Sequence, residues 1–330
     1  MTLLEILRTL EKKQTVSGNE SAVHGTVKDI LGDGFRYSAD ALGNFVATLE
    51  SSTGKSIMLS AHADQPGFIA THIEDSGLIR AASVGNLHLN CCINSPVEFE
   101  NGVKGVLSCD ANGSSNDVKD AMLFCDIGAG SRRDAQKKVC VGDRFALSFR
   151  SVRLMGNKIS APGLAAKLCC AALISAAETI KADPPKHTVH FVFSAQNEAG
   201  SRGIGAAAYS LKPSCAVNLG SCACGDVPGA KGTIKLSKGP AIKISDKSSI
   251  CTKSMITLLN DAANAEGLAV QTEISEQTGS DTAAVLKSCG GIPTGAISIP
   301  FRYMRTPTET ADIKDAETAA KLIYAFVNSY

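Results

Sequence analysis

Apolar positions along the chain fall into two textures, with changes near Gly67 and near residue 158. Before the first change, residues 3–13 and 20–31 repeat apolar side chains at helical spacing. Asn44-Phe-Val-Ala-Thr-Leu49 and Ser56-Ile-Met-Leu-Ser-Ala-His62 read as strands, the second with the continuous apolar run of a strand buried on both faces. Beyond Gly67 the pattern becomes alternating. Phe68–Ile73, Leu78–Ala82, Pro96–Phe99, Gly105–Leu107 and Arg144–Phe149 are short alternating segments, separated by turn signals such as Asp75-Ser-Gly77 and Glu100-Asn-Gly102. After residue 158 long helical and short apolar segments alternate. Helices are predicted over Leu164–Ile180, Gly203–Leu211, Lys253–Glu266, Thr282–Lys287 and Asp315–Asn328. Strands are predicted over His187–Ala195, Cys215–Leu219, Val270–Ile274 and Thr294–Ile299. Such alternation implies an α/β sheet with helices on both faces. The expected organisation is an α/β domain built from residues 1–66 and 159–330, with a β-rich unit, 67–158, inserted into it. No internal repeat or low-complexity tract is present.

Composition narrows the class without naming a function. Of 330 residues, 44% are hydrophobic and 20% charged, which is the balance of a globular chain. The formal charge of +1 gives no drive toward nucleic acid or an anionic membrane. No apolar run reaches the roughly 18 to 20 residues of a membrane span. The first residues, Met1-Thr-Leu-Leu-Glu-Ile-Leu-Arg8, read as an amphipathic helix and not as a signal peptide. The 12 cysteines show no CxxC spacing and read as reduced core residues of a cytoplasmic protein. Cys222-Ala-Cys224 is the one close non-adjacent pair.

Two predicted strand ends carry candidate chemistry. In an open α/β sheet the crevice lies at the carboxyl ends of the strands. His62 ends one buried strand, and Asp64 follows at the distance of a carboxylate that orients an imidazole. Glu198 lies just beyond another, in Ser194-Ala-Gln-Asn-Glu198-Ala-Gly200. Each residue alone is readable as a hydrogen-bonded strand-end group. Together they point to a site.

Eight segments in one order then resemble a known family. They are Ala61-His-Ala-Asp-Gln-Pro-Gly-Phe68, Asp126-Ile-Gly-Ala-Gly-Ser-Arg132, Val141-Gly-Asp143, Phe191-Val-Phe-Ser-Ala-Gln-Asn-Glu-Ala-Gly-Ser-Arg-Gly203, Gly225-Asp-Val-Pro-Gly229, Gly239-Pro-Ala-Ile-Lys243, Gly279-Ser-Asp-Thr-Ala283 and Pro293-Thr-Gly-Ala-Ile-Ser-Ile-Pro-Phe-Arg-Tyr303. Over nearly its whole length the chain resembles the tetrahedral, zinc- or cobalt-dependent aminopeptidases, the glutamyl and deblocking enzymes, some of which carry an endoglucanase label. The resemblance implies a three-layer zinc-peptidase-like α/β domain with an inserted β-barrel-like module. It also implies six positions for two metal ions and a catalytic base. His62 matches the first ligand, with Asp64 as its orienting carboxylate, and Glu198 matches another ligand. The bridging Asp falls in a stretch that here reads Leu164-Ala165-Ala166-Lys167, so Ala165 takes its place. The base position is Asn197, a further Asp ligand is Asn218, and the last His is Arg305 in Arg302-Tyr-Met-Arg-Thr-Pro307.

An amide oxygen is a weak neutral ligand and no general base near neutral pH. Alanine offers no donor, and a guanidinium repels a divalent ion. The expectation is a non-catalytic binding or assembly protein with no cofactor. The alternative is an active aminopeptidase that releases N-terminal residues, with zinc or cobalt in a site that recruits Cys222, Cys224 or Asp226. Arg305 and Asp281 are expected in a pocket for a peptide or other small polar ligand, Arg305 pairing with Glu198 in place of the lost ion. The family implies a homo-oligomer, from dimer up to dodecamer, with the insert as a dimerisation or lid module. A structural subunit that co-assembles with an active relative is a third class.

Overall fold

The protein is described by a computed structural model that covers residues 1–52, 54–110, 118–276 and 279–330. Its centre is an eight-stranded mixed sheet. In spatial order the strands are Arg36–Ala39, Phe45–Leu49, Thr188–Ser194, Ser56–His62, Cys215–Ala223, Thr294–Phe301, Ala241–Ser245 and Gln271–Ile274. The middle four run parallel, which aims their carboxyl ends at one edge. Ser56–His62 shows how sequence sets the layers. Ile57, Leu59 and Ala61 face one core and Met58 the other, because side chains alternate across a strand.

The larger core packs helices Leu3–Glu11, His24–Leu31, Leu164–Ala182, Lys253–Ala265 and Ile313–Ser329 on one face. Arg202–Leu211 and Thr282–Leu286 cover the other face. These are the three layers expected. Leu164–Ala182 is the pivot, its small Ala and Cys side chains letting the sheet and neighbouring helices approach closely. Its first residue follows Gly163, whose φ of 60° turns the chain into the helix.

Between His62 and this helix the chain forms a closed six-stranded barrel. The strands, in order around it, are Gly67–Ile73, Ile79–Val84, Leu123–Asp126, Lys104–Cys109, Ser95–Phe99 and Arg144–Leu147. Phe145 stacks on Phe68 and meets Phe99 at a tilt, at centroid distances of 5.3 and 4.5 Å. The barrel strands end at Leu147. Val152–Arg153 and Lys158–Ala161 join Glu309–Asp312 in a separate three-stranded sheet. In that sheet Ala161 lies opposite Glu309, which brings Glu309 to the start of the Leu164 helix.

Sequence pattern missed the short strands Arg36–Ala39, Leu123–Asp126, Lys158–Ala161, Ala241–Ser245 and Glu309–Asp312. Each has only four or five residues, too few for a period to register, and all but Arg36–Ala39, which pairs with the adjacent Phe45–Leu49, take a partner distant in sequence. The strand from Cys215 also runs past Leu219 to Ala223.

Candidate functional site

A cavity of about 620 Å³ opens at the carboxyl ends of the parallel strands. His62, Ala165, Asn197, Glu198, Asn218, Asp281 and Arg305 all line it, and Asp64 lies buried behind it. Residues far apart in sequence are gathered by sheet register. Ser194 pairs with His62 and Asn218 with Ser60, so the loops after three strands converge. The barrel adds His88, whose N–H donates to the Arg305 carbonyl at 3.0 Å.

Asp64 organises one wall. Its carboxylate accepts the Asn197 and Glu198 N–H groups at 3.0 and 2.9 Å and the Ser17 hydroxyl at 2.5 Å. His62 Nδ1 lies 2.9 Å from the Asp64 carbonyl and 3.6 Å from its carboxylate. Burial alone would raise the Asp64 pKa, but His62, Ser17 and the Glu198 N–H outweigh it and hold it low. Burial likewise opposes protonation of His62, yet Asp64, Asp281 and Glu198 lift it to about 10. Burial raises the Glu198 carboxyl, against the lowering effect of His62. Asp281 is raised the same way.

The other wall is built by a residue that sequence reading passed over. Glu309 accepts the Ala165 N–H at 2.9 Å and the Arg305 N–H at 2.8 Å. It thereby satisfies a free donor at the helix start and pins the 305 backbone. Also lining the cavity, buried Lys243 sits 3.2 Å from Asp246 and 3.4 Å from Glu273. Hydroxyls of Ser248, Ser249 and Ser280 converge on Asp246. These donors and Lys243 overcome its burial and hold it at about 2. Pairing at separations of about thirty residues, as between Lys243 and Glu273, leaves no local pattern. Backbone strain also collects here. Gln196, Ser201, Tyr303 and Arg305 all have positive φ, each worth of order 1 kcal/mol or more of strain.

The expected Arg305–Glu198 pair does not form. Among the described residues no hydrogen bond or ion pair reaches the Arg305 guanidinium. Glu198 instead turns toward the barrel, where it accepts the Asn86 N–H and lies close against Gly85. The Arg305 backbone is held on both sides, its N–H by Glu309 and its carbonyl by His88, and the guanidinium acts on Glu198 only through its charge.

These side chains do not fit the metal pair that the family resemblance implies. A structural or catalytic zinc takes three or four protein donors. No group of three or more His, Cys, Asp or Glu side chains able to hold a metal exists among the described residues. Asn218 is committed to the Ser60 hydroxyl at 3.0 Å and Asn197 to that of Ser201 at 3.0 Å. The recruits considered above do not repair the set. Burial pushes the Cys224 thiol up to about 12 and the Cys222 thiol well above its ordinary value, so neither offers a thiolate. Asp226 is held by Arg302 through two hydrogen bonds.

Fold and cavity define an α/β protein of the aminopeptidase type with a barrel insert. The chain belongs to the M42 glutamyl aminopeptidase family, whose model matches residues 43–322. It is 35% identical, over 97% of each chain, to a protein of Acetivibrio thermocellus provisionally assigned as an aminopeptidase. It is 27% identical to the lysyl aminopeptidase of Pyrococcus furiosus, over 98% of this chain and 96% of that one. An aminopeptidase from the archaeon Desulfurococcus kamchatkensis superposes with a TM-score of 0.94 at 26% identity, covering 99% of this chain and 95% of that one. The TET1 peptidase of Pyrococcus horikoshii, described as able to assemble into a tetrahedron or a large octahedral shell, gives 0.88 at 27% identity and 99% coverage of both chains.

Proposed function

We propose that this chain is a non-catalytic member of its family that uses the cavity to bind a small polar ligand. The carrying observation is the donor set around the cavity. Only His62 and Glu198 remain of the metal-holding positions, while Ala165, Asn218 and Arg305 stand at the others and Asn197 at the base. Asn197 cannot take a proton from water at neutral pH. Asp64 still holds the His62 and Glu198 wall in place, which keeps a shaped cavity in the absence of the chemistry.

The reading is tested on purified protein grown with zinc and cobalt. Elemental analysis should find no stoichiometric metal, and chromogenic aminoacyl substrates, lysyl and glutamyl included, should not turn over. Two ions per chain together with turnover would establish the active aminopeptidase instead, the reading that the relatives' names support. We further propose that the chain assembles with itself through the barrel-containing segment 67–158, as the shells described for the Pyrococcus horikoshii relative suggest.

A further inference from the structure

The cavity holds polar atoms of both signs that the protein leaves unanswered. Asn218 is 5% exposed, and its Nδ2 has no partner while Oδ1 is taken by Ser60. Asp281 is 9% exposed, and its Oδ1 has no partner either. The Arg305 guanidinium lines the same cavity with no partner among the described residues. Native folds rarely leave buried donors and acceptors unmatched, because each carries a desolvation penalty that a partner would offset.

We propose that the cavity binds a small zwitterion, its carboxylate held by Arg305 and the Asn218 amide and its ammonium by Asp281 and Glu198. This rests on the non-catalytic reading, since a metal pair would occupy the same space. The unmatched atoms decide between ligand classes. A plain anion would leave the Asp281 Oδ1 without a donor, whereas Glu309 is already answered by backbone N–H groups. A plain cation would leave Arg305 and Asn218 without acceptors. A guanidinium offers the paired donors that suit a carboxylate. Val227, Ile297 and Met304 give the cavity an apolar part for a side chain. A volume of about 620 Å³ is that of a small-molecule site. Free amino acids and dipeptides share this chemistry and differ in the span between their charges.

The test uses the full-length protein, with thermal unfolding and calorimetry against the common L-amino acids and a set of dipeptides at millimolar concentration. A member of one panel should bind saturably and raise Tm, and which panel responds fixes the span. For that ligand the C-terminal amide, which lacks the negative charge, and the N-acetyl form, which lacks the positive one, should each bind at least about tenfold more weakly. Arg305→Met should bring the parent ligand down to the level of its amide and leave the amide unchanged. Asp281→Asn should remove the preference over the N-acetyl form, with circular dichroism to verify folding of both variants. Equal binding of parent and amide would overturn the proposal, and so would silence from both panels. Hydrolysis is followed on the same samples. Turnover would overturn the non-catalytic reading, whereas absence of both turnover and binding would overturn the zwitterion site alone.

Discussion

At the scale of single residues, Asp64 carries more of the site than any lining group. Three donors converge on it, and His62 draws its charge from it. Asp64→Ala should destabilise the fold by about 3–5 kcal/mol, the range for stripping one partner from a buried charged pair, measured by chemical denaturation. On the non-catalytic reading, the metal positions form a unit of the same kind. Restoring Ala165→Asp, Asn197→Glu, Asn218→Asp and Arg305→His together should recover stoichiometric metal by elemental analysis, while each single change should recover almost none. Tight metal binding by one single variant would mean that the ligand positions are assigned wrongly. His62 and Glu198 were legible because strand ends mark crevices. Glu309 and Lys243 were not, since their partners are set by register and not by spacing. A further residue sets a pH response. His190 is buried beside Thr48, and burial, helped by the Arg36 charge, lowers it from 6.5 to about 4. The unfolded chain binds a proton near 6.5 that the fold refuses until about 4, so stability falls as pH drops through that window. The loss is at most about 3 kcal/mol. His190→Gln should flatten the decline between pH 6.5 and 4 in denaturant titrations; an unchanged slope would assign it to other groups.

At the scale of elements, the helix Leu164–Ala182 joins core and site. Its buried face is an Ala and Cys surface that packs the sheet, and its first turn borders the cavity. In the family resemblance that first turn supplies the bridging carboxylate. Here Glu309, delivered by an antiparallel strand, accepts the Ala165 N–H from outside the helix. Glu309→Ala should therefore cost about 2 kcal/mol or more, because two N–H groups lose a charged acceptor. Glu309→Gln keeps one acceptor oxygen and should cost less. Equal losses would mean that the carboxylate's charge is immaterial to the helix start. Long helices and continuous buried strands were readable from pattern, since they run through enough residues for a period to show. The edge strand Arg36–Ala39 and the barrel strand Leu123–Asp126 were not, being four residues each and fixed by neighbours. Alternation nevertheless marked this segment as β-rich, the barrel itself being what the family resemblance implied, and its closure leaves none of its six strands as an open edge.

At the scale of the whole molecule, the question is where one copy would meet another. Soluble chains rarely expose contiguous apolar surface unless it is used. The segment after the barrel breaks that rule. Phe149, Val152 and Leu154 are exposed, and Met155 is 92% exposed, all within seven residues. Val152 and Leu154 belong to the hairpin of the three-stranded sheet, so their backbone is held in place and the apolar side chains are presented on a fixed support. Burying three such side chains at about 1.5–3 kcal/mol each would supply much of the driving force for association. The double change Val152→Asp and Met155→Asp should lower the particle mass measured by light scattering. The eight-stranded sheet lies elsewhere in the fold, so far-ultraviolet circular dichroism and Tm should change little. Removal of the barrel with closure of the gap should reduce the mass as well. A mass unchanged by the double variant would place the contact elsewhere on the molecule, and one unchanged by both would remove the barrel segment from the assembly.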